Sequence, residues 1–196
     1  MATATISKAP IPATMNDDEF VAFVEKRPHG ERWQLIEGDV VMMNPPRLRH
    51  RRVAGNLATR LNVHFEASGA NLFAFQEVGL MVPGVPRFRP TADVAVIENT
   101  VDPAVIWADR FLLAGEVVSE SNTTKQIERK RTRYIQHPGN LYVLVIAQKE
   151  VSIEIWSRRS GWEPYALTKL DDTLELPEFG FATTLRAIYV GTGIDM

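Results

Sequence analysis

Two neighbouring stretches decide the fold: Arg89-Pro-Thr-Ala-Asp-Val-Ala-Val-Ile97 and Leu112-Leu-Ala-Gly-Glu-Val-Val-Ser119. Both are apolar, β-prone and of strand length, so each predicts a buried strand. Each nevertheless carries one carboxylate, Asp93 in the first and Glu116 in the second. Because a buried carboxylate must be neutralised, paired with a cation or bound to a metal, these two residues predict a site at the sheet.

Lys130 is the third charge that belongs to this group. Strand alternation places Glu116 in an otherwise apolar row with Leu112 and Ala114. On the helix predicted next, Lys130 shares a face with Ile127 and Tyr134. We therefore expect the ammonium of Lys130 to point toward the sheet, where it could orient a water or stabilise charge on a phosphate.

A metal site follows as a hypothesis from the same residues. Hard divalent ions such as Mg²⁺ prefer one or two carboxylates, a backbone carbonyl and retained waters. Asp93, Glu116 and the carbonyl of Val117 would supply that set, with Mg²⁺ (or Mn²⁺) as the cofactor. The alternative is structural: Glu116 and Lys130 form a plain ion pair, and Asp93 caps the end of its strand.

Composition limits the possible functions. The 196 residues carry a net charge of −2, and 45% of them are hydrophobic, which fits one domain that does not hold nucleic acid by bulk charge. The absence of cysteine excludes disulfide scaffolds, thiolate zinc sites and cysteine nucleophiles. The first residues lack the apolar core of a signal peptide, and no apolar run is long enough to span a bilayer. We expect a cytoplasmic protein with no membrane contact.

The order of predicted elements defines the fold class. Residues 1–14 are expected to form a loose arm and residues 15–196 a single domain. In that domain, helices are predicted from Asn16, from Arg47 to Ser68 and from Thr123 to Gln136. Strands are predicted between and after them, with a hairpin at Glu37-Gly-Asp39. This order favours an α/β (α+β) domain with a mixed central β-sheet flanked by helices.

Five short motifs follow one another with the right spacing. They are Trp33-Gln-Leu-Ile-Glu-Gly38, Asn44-Pro-Pro46 followed by His50, the Asp93 strand, Glu116-Val-Val-Ser119, and Lys130 followed by Tyr134. Together they resemble the PD-(D/E)XK nuclease superfamily, and within it the Uma-type family of restriction-endonuclease-like proteins. The resemblance covers Arg32 to Trp156. It implies a restriction-endonuclease-like fold and a nuclease site at Asp93, Glu116 and Lys130.

The chain departs from that pattern at two positions. The family's proline before the aspartate is Ala92 here, with Pro90 upstream. The superfamily's lysine, two residues after the glutamate, is replaced by Val118. The resemblance therefore implies that Lys130, supplied by the helix, takes the role of that lysine.

Three further residues are candidates for an additional part of the site. His50, which the resemblance places near the cleft, could bind phosphate or tune a water, or it could be a solvated residue at a helix start. Glu37 could be an additional acidic ligand, although hairpin-turn glutamates are usually exposed. Gln76 is a polar residue inside an extended apolar stretch.

Two basic clusters are candidates for nucleic-acid binding. If their helices flank the site, they would form a positive rim for a phosphate backbone; otherwise they are solvated helix faces. The first cluster contains Arg47, Arg49, Arg51 and Arg52, and the second contains Lys125, Arg129, Arg131 and Arg133.

The hypothesis favoured by the sequence is a metal-dependent endonuclease that hydrolyses DNA with a metal-activated water. The alternative is a non-catalytic nuclease-fold module that binds nucleic acid or a protein partner, for instance through the strand Val151–Trp156 and Trp162. The same surface could serve a homodimer. A third interpretation is an enzyme-like relic that keeps only a structural ion pair.

Overall fold

The structure, a computed structural model, describes residues 14–28, 30–118 and 124–194. The α-helices are α1 Asp17–Glu25, α2 Leu48–Ser68, α3 Thr124–Ile135 and α4 Leu185–Tyr189. The β-strands are β1 Trp33–Ile36, β2 Asp39–Met42, β3 Leu72–Leu80, β4 Phe88–Arg89, β5 Thr91–Glu98, β6 Trp107–Ala108, β7 Leu113–Val118, β8 Tyr142–Ala147, β9 Ile153–Ser157, β10 Tyr165–Leu167, β11 Thr173–Leu176 and β12 Phe181–Thr184.

A seven-stranded sheet in the order β10-β9-β8-β7-β5-β3-β6 forms the centre of the molecule. The sheet is mixed, because β7 pairs with β8 and β3 with β6 in parallel, while the other neighbours are antiparallel. A smaller sheet, β2-β1-β4, and the hairpin β11-β12 complete the strands. The predicted fold class, a mixed central sheet flanked by helices, is confirmed.

The two long helices bury opposite rows of side chains from the central strands. One cluster joins α2, through Leu57 and Leu61, to Val94 and Val96 of β5. The other cluster contains Tyr134 of α3 together with alternating residues of the same strands, Ala95 in β5, Ala114 in β7 and Val143 in β8. The residues of each strand thus alternate between the α2 side and the α3 side, and Glu116 belongs to the α3 side.

Most predicted elements are present, including the Asn16 capping box of α1 and the left-handed Gly69 that ends α2. The sequence did not predict β4, β6 or β12. Trp107 starts β6 and pairs with Gly79 of β3. The predicted start of α3 at Thr123 and nearly all of the expected N-terminal arm lie outside the described residues.

The outer edge of the central sheet is protected by a side chain. β6 covers β3 only at Gly79 and Leu80. At Ala74, farther along β3, the amide of Asn62 on α2 accepts from the backbone N–H at 2.7 Å and donates to the carbonyl at 2.9 Å. Asn62 therefore satisfies the two groups that an added strand would need for pairing.

None of the helices described here combines the length and the apolar character required to cross a membrane.

Candidate active site

Asp93 and Glu116 lie side by side at one edge of the sheet, where β5 begins and its antiparallel neighbour β7 ends. Val94 pairs with Gly115, so the next residue of each strand, Asp93 in β5 and Glu116 in β7, falls at adjacent positions. Both are buried: 8% of Asp93 and 2% of Glu116 is exposed. The two strands predicted to converge on one site therefore do so.

Lys130 reaches Glu116 from α3. Its side chain is buried among the strands, and only 5% of the residue is exposed. Nζ donates to Oε2 of Glu116 at 2.6 Å and to the carbonyl of Thr91 at 2.7 Å. The inward orientation expected from helical spacing is thus observed, whereas the chemical role of Lys130 stays a prediction.

Asp93 is held by two donors on opposite sides. The backbone N–H of Val117 donates to Oδ2 at 2.7 Å, which ties the carboxylate to β7. Nε2 of His50, at the start of α2, lies 3.0 Å from Oδ1. His50 therefore belongs to the candidate site, as the family resemblance implied. In the part of the chain that is described, its other ring nitrogen, Nδ1, is buried without a hydrogen-bond partner.

Glu116 is the electrostatically unusual residue of the site. Burial raises its pKa to about 7, and the neighbouring charge of Asp93 acts in the same direction, while Lys130 and a hydrogen bond from Tyr134 oppose the rise. The hydroxyl of Tyr134 donates to Oε1 at 2.8 Å. Burial and the charge of Glu116 raise the pKa of Tyr134 well above its ordinary value, so Tyr134 remains a donor at all ordinary pH values.

A cavity of about 360 Å³ opens above these groups. Polar residues line it from the strands and from α2 and α3: Gln34, His50, Glu77, Thr91, Asp93, Glu116, Gln126, Lys130 and Gln148. The loop between β2 and α2 contributes Met43, Asn44, Pro45, Pro46 and Arg47. The three predicted catalytic residues and His50 thus face one cavity.

Gln148 and Glu77 line this cavity and were missed by the sequence interpretation. Gln148 follows β8 directly and is 5% exposed, and its Oε1 accepts no hydrogen bond from the described residues. Since β8 runs parallel to β7, a polar residue just after β8 must lie at the same sheet edge as the end of β7. The position of Gln148 directly after a strand that is parallel to β7 is the feature that could have identified it.

Glu77 occupies the position of β3 that lies across from Asp93, between the pairs Gln76↔Val94 and Val78↔Ala92. Its φ of 53° is left-handed, which is rare for a residue with a side chain inside a strand. An ion pair of 2.8 Å with Arg32 fixes its carboxylate. No sequence pattern signals this conformation.

Two expected candidates do not line this cavity. Glu37 is not brought to the cavity; Arg129 donates to its Oε2 at 2.7 Å and Arg133 to its Oε1 at 2.9 Å. Burial alone would raise the pKa of Glu37, but the hydrogen bonds and charges of the two arginines outweigh it and hold the pKa below the ordinary value. Gln76 is exposed, and its amide lies next to Gly55 of α2. Together with His50 and Asp93 it lines a second cavity of about 240 Å³.

Most of the expected nucleic-acid-binding arginines make contacts within the chain. Arg129 also donates to Asp39 at 2.7 Å and to the carbonyl of Ile36 at 2.8 Å. Its two acidic partners, Asp39 and Glu37, raise its pKa. The guanidinium of Arg131 stacks 3.9 Å above the ring of Trp156. This stacking also covers part of the surface expected to receive a partner.

The cluster on α2 is similarly divided. Arg49 binds the carbonyl of Thr192 at 2.9 Å, and Arg52 lies against Gly191. Arg47 lines the cavity, and the side chains of Arg51 and Lys125 are exposed. The contribution of both clusters to nucleic-acid binding stays a prediction.

The donor set fits a magnesium-like ion better than one that needs many protein ligands. Among residues 14–28, 30–118 and 124–194, no three His, Asp or Glu side chains converge in an arrangement that could hold a metal. Asp93 and Glu116 nevertheless provide two carboxylates, and the unpartnered buried oxygen of Gln148 lines the same cavity. Mg²⁺ is commonly held by one or two carboxylates and retained waters, so the residues present fit it.

The profile of the Uma2 family, described as "Putative restriction endonuclease", matches residues 17–186. The chain belongs to this family. Membership supports a nuclease at a coarse level, and it confirms the resemblance drawn from the motifs. Among the curated proteins, none matches the chain.

A solved structure supports the fold independently. The protein is similar to the crystal structure of a "putative nuclease belonging to DUF820" from Anabaena variabilis, with a TM-score of 0.74. The match covers 91% of this chain and 98% of the other, at 14% sequence identity. At that identity the likeness establishes a shared fold.

Proposed function

We propose that this Uma2-family protein is a metal-dependent endonuclease that hydrolyses phosphodiester bonds in DNA, with Asp93, Glu116 and Lys130 as its catalytic residues. The observation that carries the proposal is the buried ion pair between Lys130 and Glu116, which lies beside Asp93 and faces a cavity. A purely structural ion pair gains nothing from such a location. A carboxyl group with a perturbed pKa that faces a cavity beside a second carboxyl group is instead typical of functional sites.

Asp93, Glu116 and the carbonyl of Val117 would hold Mg²⁺ (or Mn²⁺). When bound, such an ion supplies Lewis-acid charge and lowers the pKa of a coordinated water. Three protein groups prepare the carboxylates for this role: His50 and the backbone N–H of Val117 fix Asp93, and the hydroxyl of Tyr134 fixes Glu116.

Lys130 would act on the phosphate or on the attacking water. An ammonium has three donors, and two of those of Lys130 are directed to Glu116 and to the carbonyl of Thr91. The third donates to no acceptor among the described residues and would be available to a phosphoryl oxygen or a water in the cavity. Because the group is held in place by buried acceptors, it needs no reorganisation when charge develops in the transition state.

The test is the nicking of supercoiled plasmid DNA with Mg²⁺ or Mn²⁺, using wild type, Lys130→Met and the control Lys169→Met, whose side chain is exposed and does not line the cavity. We expect nicking by wild type and by the control, and a loss of about 100-fold or more in Lys130→Met. Nicking by Lys130→Met at the wild-type rate would assign the activity to a contaminant. No nicking with either metal would favour the alternative, a non-catalytic module that binds nucleic acid or a protein.

Metal binding is tested separately by calorimetric titration of Mg²⁺ and Mn²⁺ into wild type and Asp93→Asn. The amide is isosteric with the carboxylate and keeps an oxygen acceptor for the N–H of Val117, so the fold should persist, which circular dichroism would check. We expect weaker binding in Asp93→Asn. Equal affinities in the two proteins would remove the metal from the proposed mechanism.

A further inference from the structure

We propose that the cavity admits one unpaired nucleotide of DNA, so that the preferred substrate is a single strand or an unpaired segment rather than a continuous duplex. The inference rests on the proposed nuclease function and specifies its substrate. Three observations carry it: the depth of the charged groups, the apolar side chains in the same cavity, and the contacts that the arginines of α3 already make within the chain.

The charged groups lie too deep for a phosphate of an intact duplex. Only 8%, 2% and 5% of Asp93, Glu116 and Lys130 is exposed. The cavity above them measures about 360 Å³, which is near the lower end of small-ligand sites. A duplex is a stiff rod whose paired bases accompany every phosphate, whereas an unpaired nucleotide can enter such a cavity by itself, as in enzymes that extrude a base.

The residues contributed by β2 and the loop after it suit the face of a base. Met42, Met43, Pro45 and Pro46 line the same cavity as the candidate trio. Met42 is 52% exposed, so its side chain is accessible to a ligand in the cavity. Flat apolar and polarisable surfaces bind any base through its ring face, independently of sequence.

The arginines of α3 do not form the free cationic face that duplex binding requires. Affinity for duplex DNA comes mainly from Lys and Arg that neutralise successive phosphates. On α3, however, Arg129 and Arg133 are paired with Glu37 and Asp39, and Arg131 is stacked on Trp156. The net charge of the chain is −2. A substrate that binds by one inserted base needs fewer such contacts.

Cleavage distinguishes the substrates directly. Fluorescent DNA of one sequence is offered as a single strand, as a full duplex and as a duplex with a central unpaired bubble, each with Mn²⁺. We expect cutting of the single strand and within the bubble, with the full duplex cut about 100-fold more slowly, since extruding a paired nucleotide costs its pairing and stacking. Equal rates on duplex and single strand would refute the inference but leave the nuclease function intact.

Binding tests the inference even if no cleavage occurs. All proteins carry Asp93→Asn, and fluorescence anisotropy measures their affinity for a single-stranded tetranucleotide and for a short hairpin duplex. The same measurement compares the variant Met42→Ala with the variant Leu48→Ala. Leu48 is 85% exposed and does not line the cavity, so it is the matched control. We expect tighter binding of the single strand and about a tenfold loss in Met42→Ala alone. Tighter binding of the hairpin, an unaffected Met42→Ala, or a preference for RNA over DNA of the same sequence would each overturn the proposal.

Discussion

Replacing Glu116 by glutamine should change how stability depends on pH in the metal-free protein. In the folded state, burial raises the pKa of Glu116 from 4.5 to about 7. The folded protein therefore keeps a proton on Glu116 that the unfolded chain has already released. Between these two pKa values the folded state binds more protons, so the stability contributed by Glu116 is present below pH 4.5 and is lost as pH rises through 7.

The size of the effect follows from the pKa values. A rise from 4.5 to about 7 corresponds to about 3 kcal/mol, because each pKa unit is worth about 1.4 kcal/mol. Glutamine cannot titrate, so the Glu116→Gln protein lacks this dependence. The free energy of unfolding of wild type minus that of Glu116→Gln should fall by about 3 kcal/mol between pH 4.5 and 8.

The assay is urea denaturation of both proteins in EDTA at half-unit steps of pH, monitored by tryptophan fluorescence. Taking the difference between the proteins cancels the titration of the other groups. Glu66→Gln, on the exposed side of α2, serves as the control, and its difference from wild type should be independent of pH. A difference between wild type and Glu116→Gln that stays constant from pH 4.5 to 8 would refute the assignment of a raised pKa to this carboxyl.

Three smaller predictions concern the frame of the site. Arg129→Lys replaces a fork that contacts three acceptors of the β1–β2 hairpin, so urea denaturation should show a loss of about 1 kcal/mol. Asn62→Ala removes both hydrogen bonds to Ala74; it should cost about 1–2 kcal/mol and produce concentration-dependent association in sedimentation experiments, because the edge of β3 is uncovered. A Cβ atom added at Gly79 would lie 2.6 Å from a backbone oxygen, which is a clash, whereas one added at Gly115 would come no closer than 3.5 Å to any neighbour. Thermal unfolding should therefore show that Gly79→Ala is more destabilising than Gly115→Ala by about 2 kcal/mol.

The sequence predicted those parts of the site that depend on local periodicity. Glu116 interrupts an apolar strand row, and Lys130 lies at helical spacing from Tyr134, so the inward orientation of both followed from side-chain geometry alone. Glu77 and Gln148 could not be found in this way. Their place at the cavity depends on strand order and on one left-handed residue, which are properties of the assembled sheet.

The basic residues illustrate a second limit. A sequence shows a run of charge on α3 but not the partner of each charge. Glu37 in the turn of a distant hairpin and Asp39 just after that turn pair with Arg129, from which they are 92 and 90 residues away in the sequence. The short strands β4 and β6, of two residues each, are likewise defined only by the strands with which they pair.

The position of the lysine explains why this hairpin matters to the candidate site. A lysine two residues after Glu116 would share its strand face automatically, but Val118 occupies that position. The ammonium comes instead from α3, so its distance from Glu116 depends on how α3 is placed against the sheet. Tyr134 fixes the helix from within through its bond to Glu116, and Arg129, the residue next to Lys130, fixes it from outside through Glu37 and Asp39. The arginines that first indicated a nucleic-acid surface therefore have a second role, since they hold in place the helix that delivers the proposed catalytic lysine.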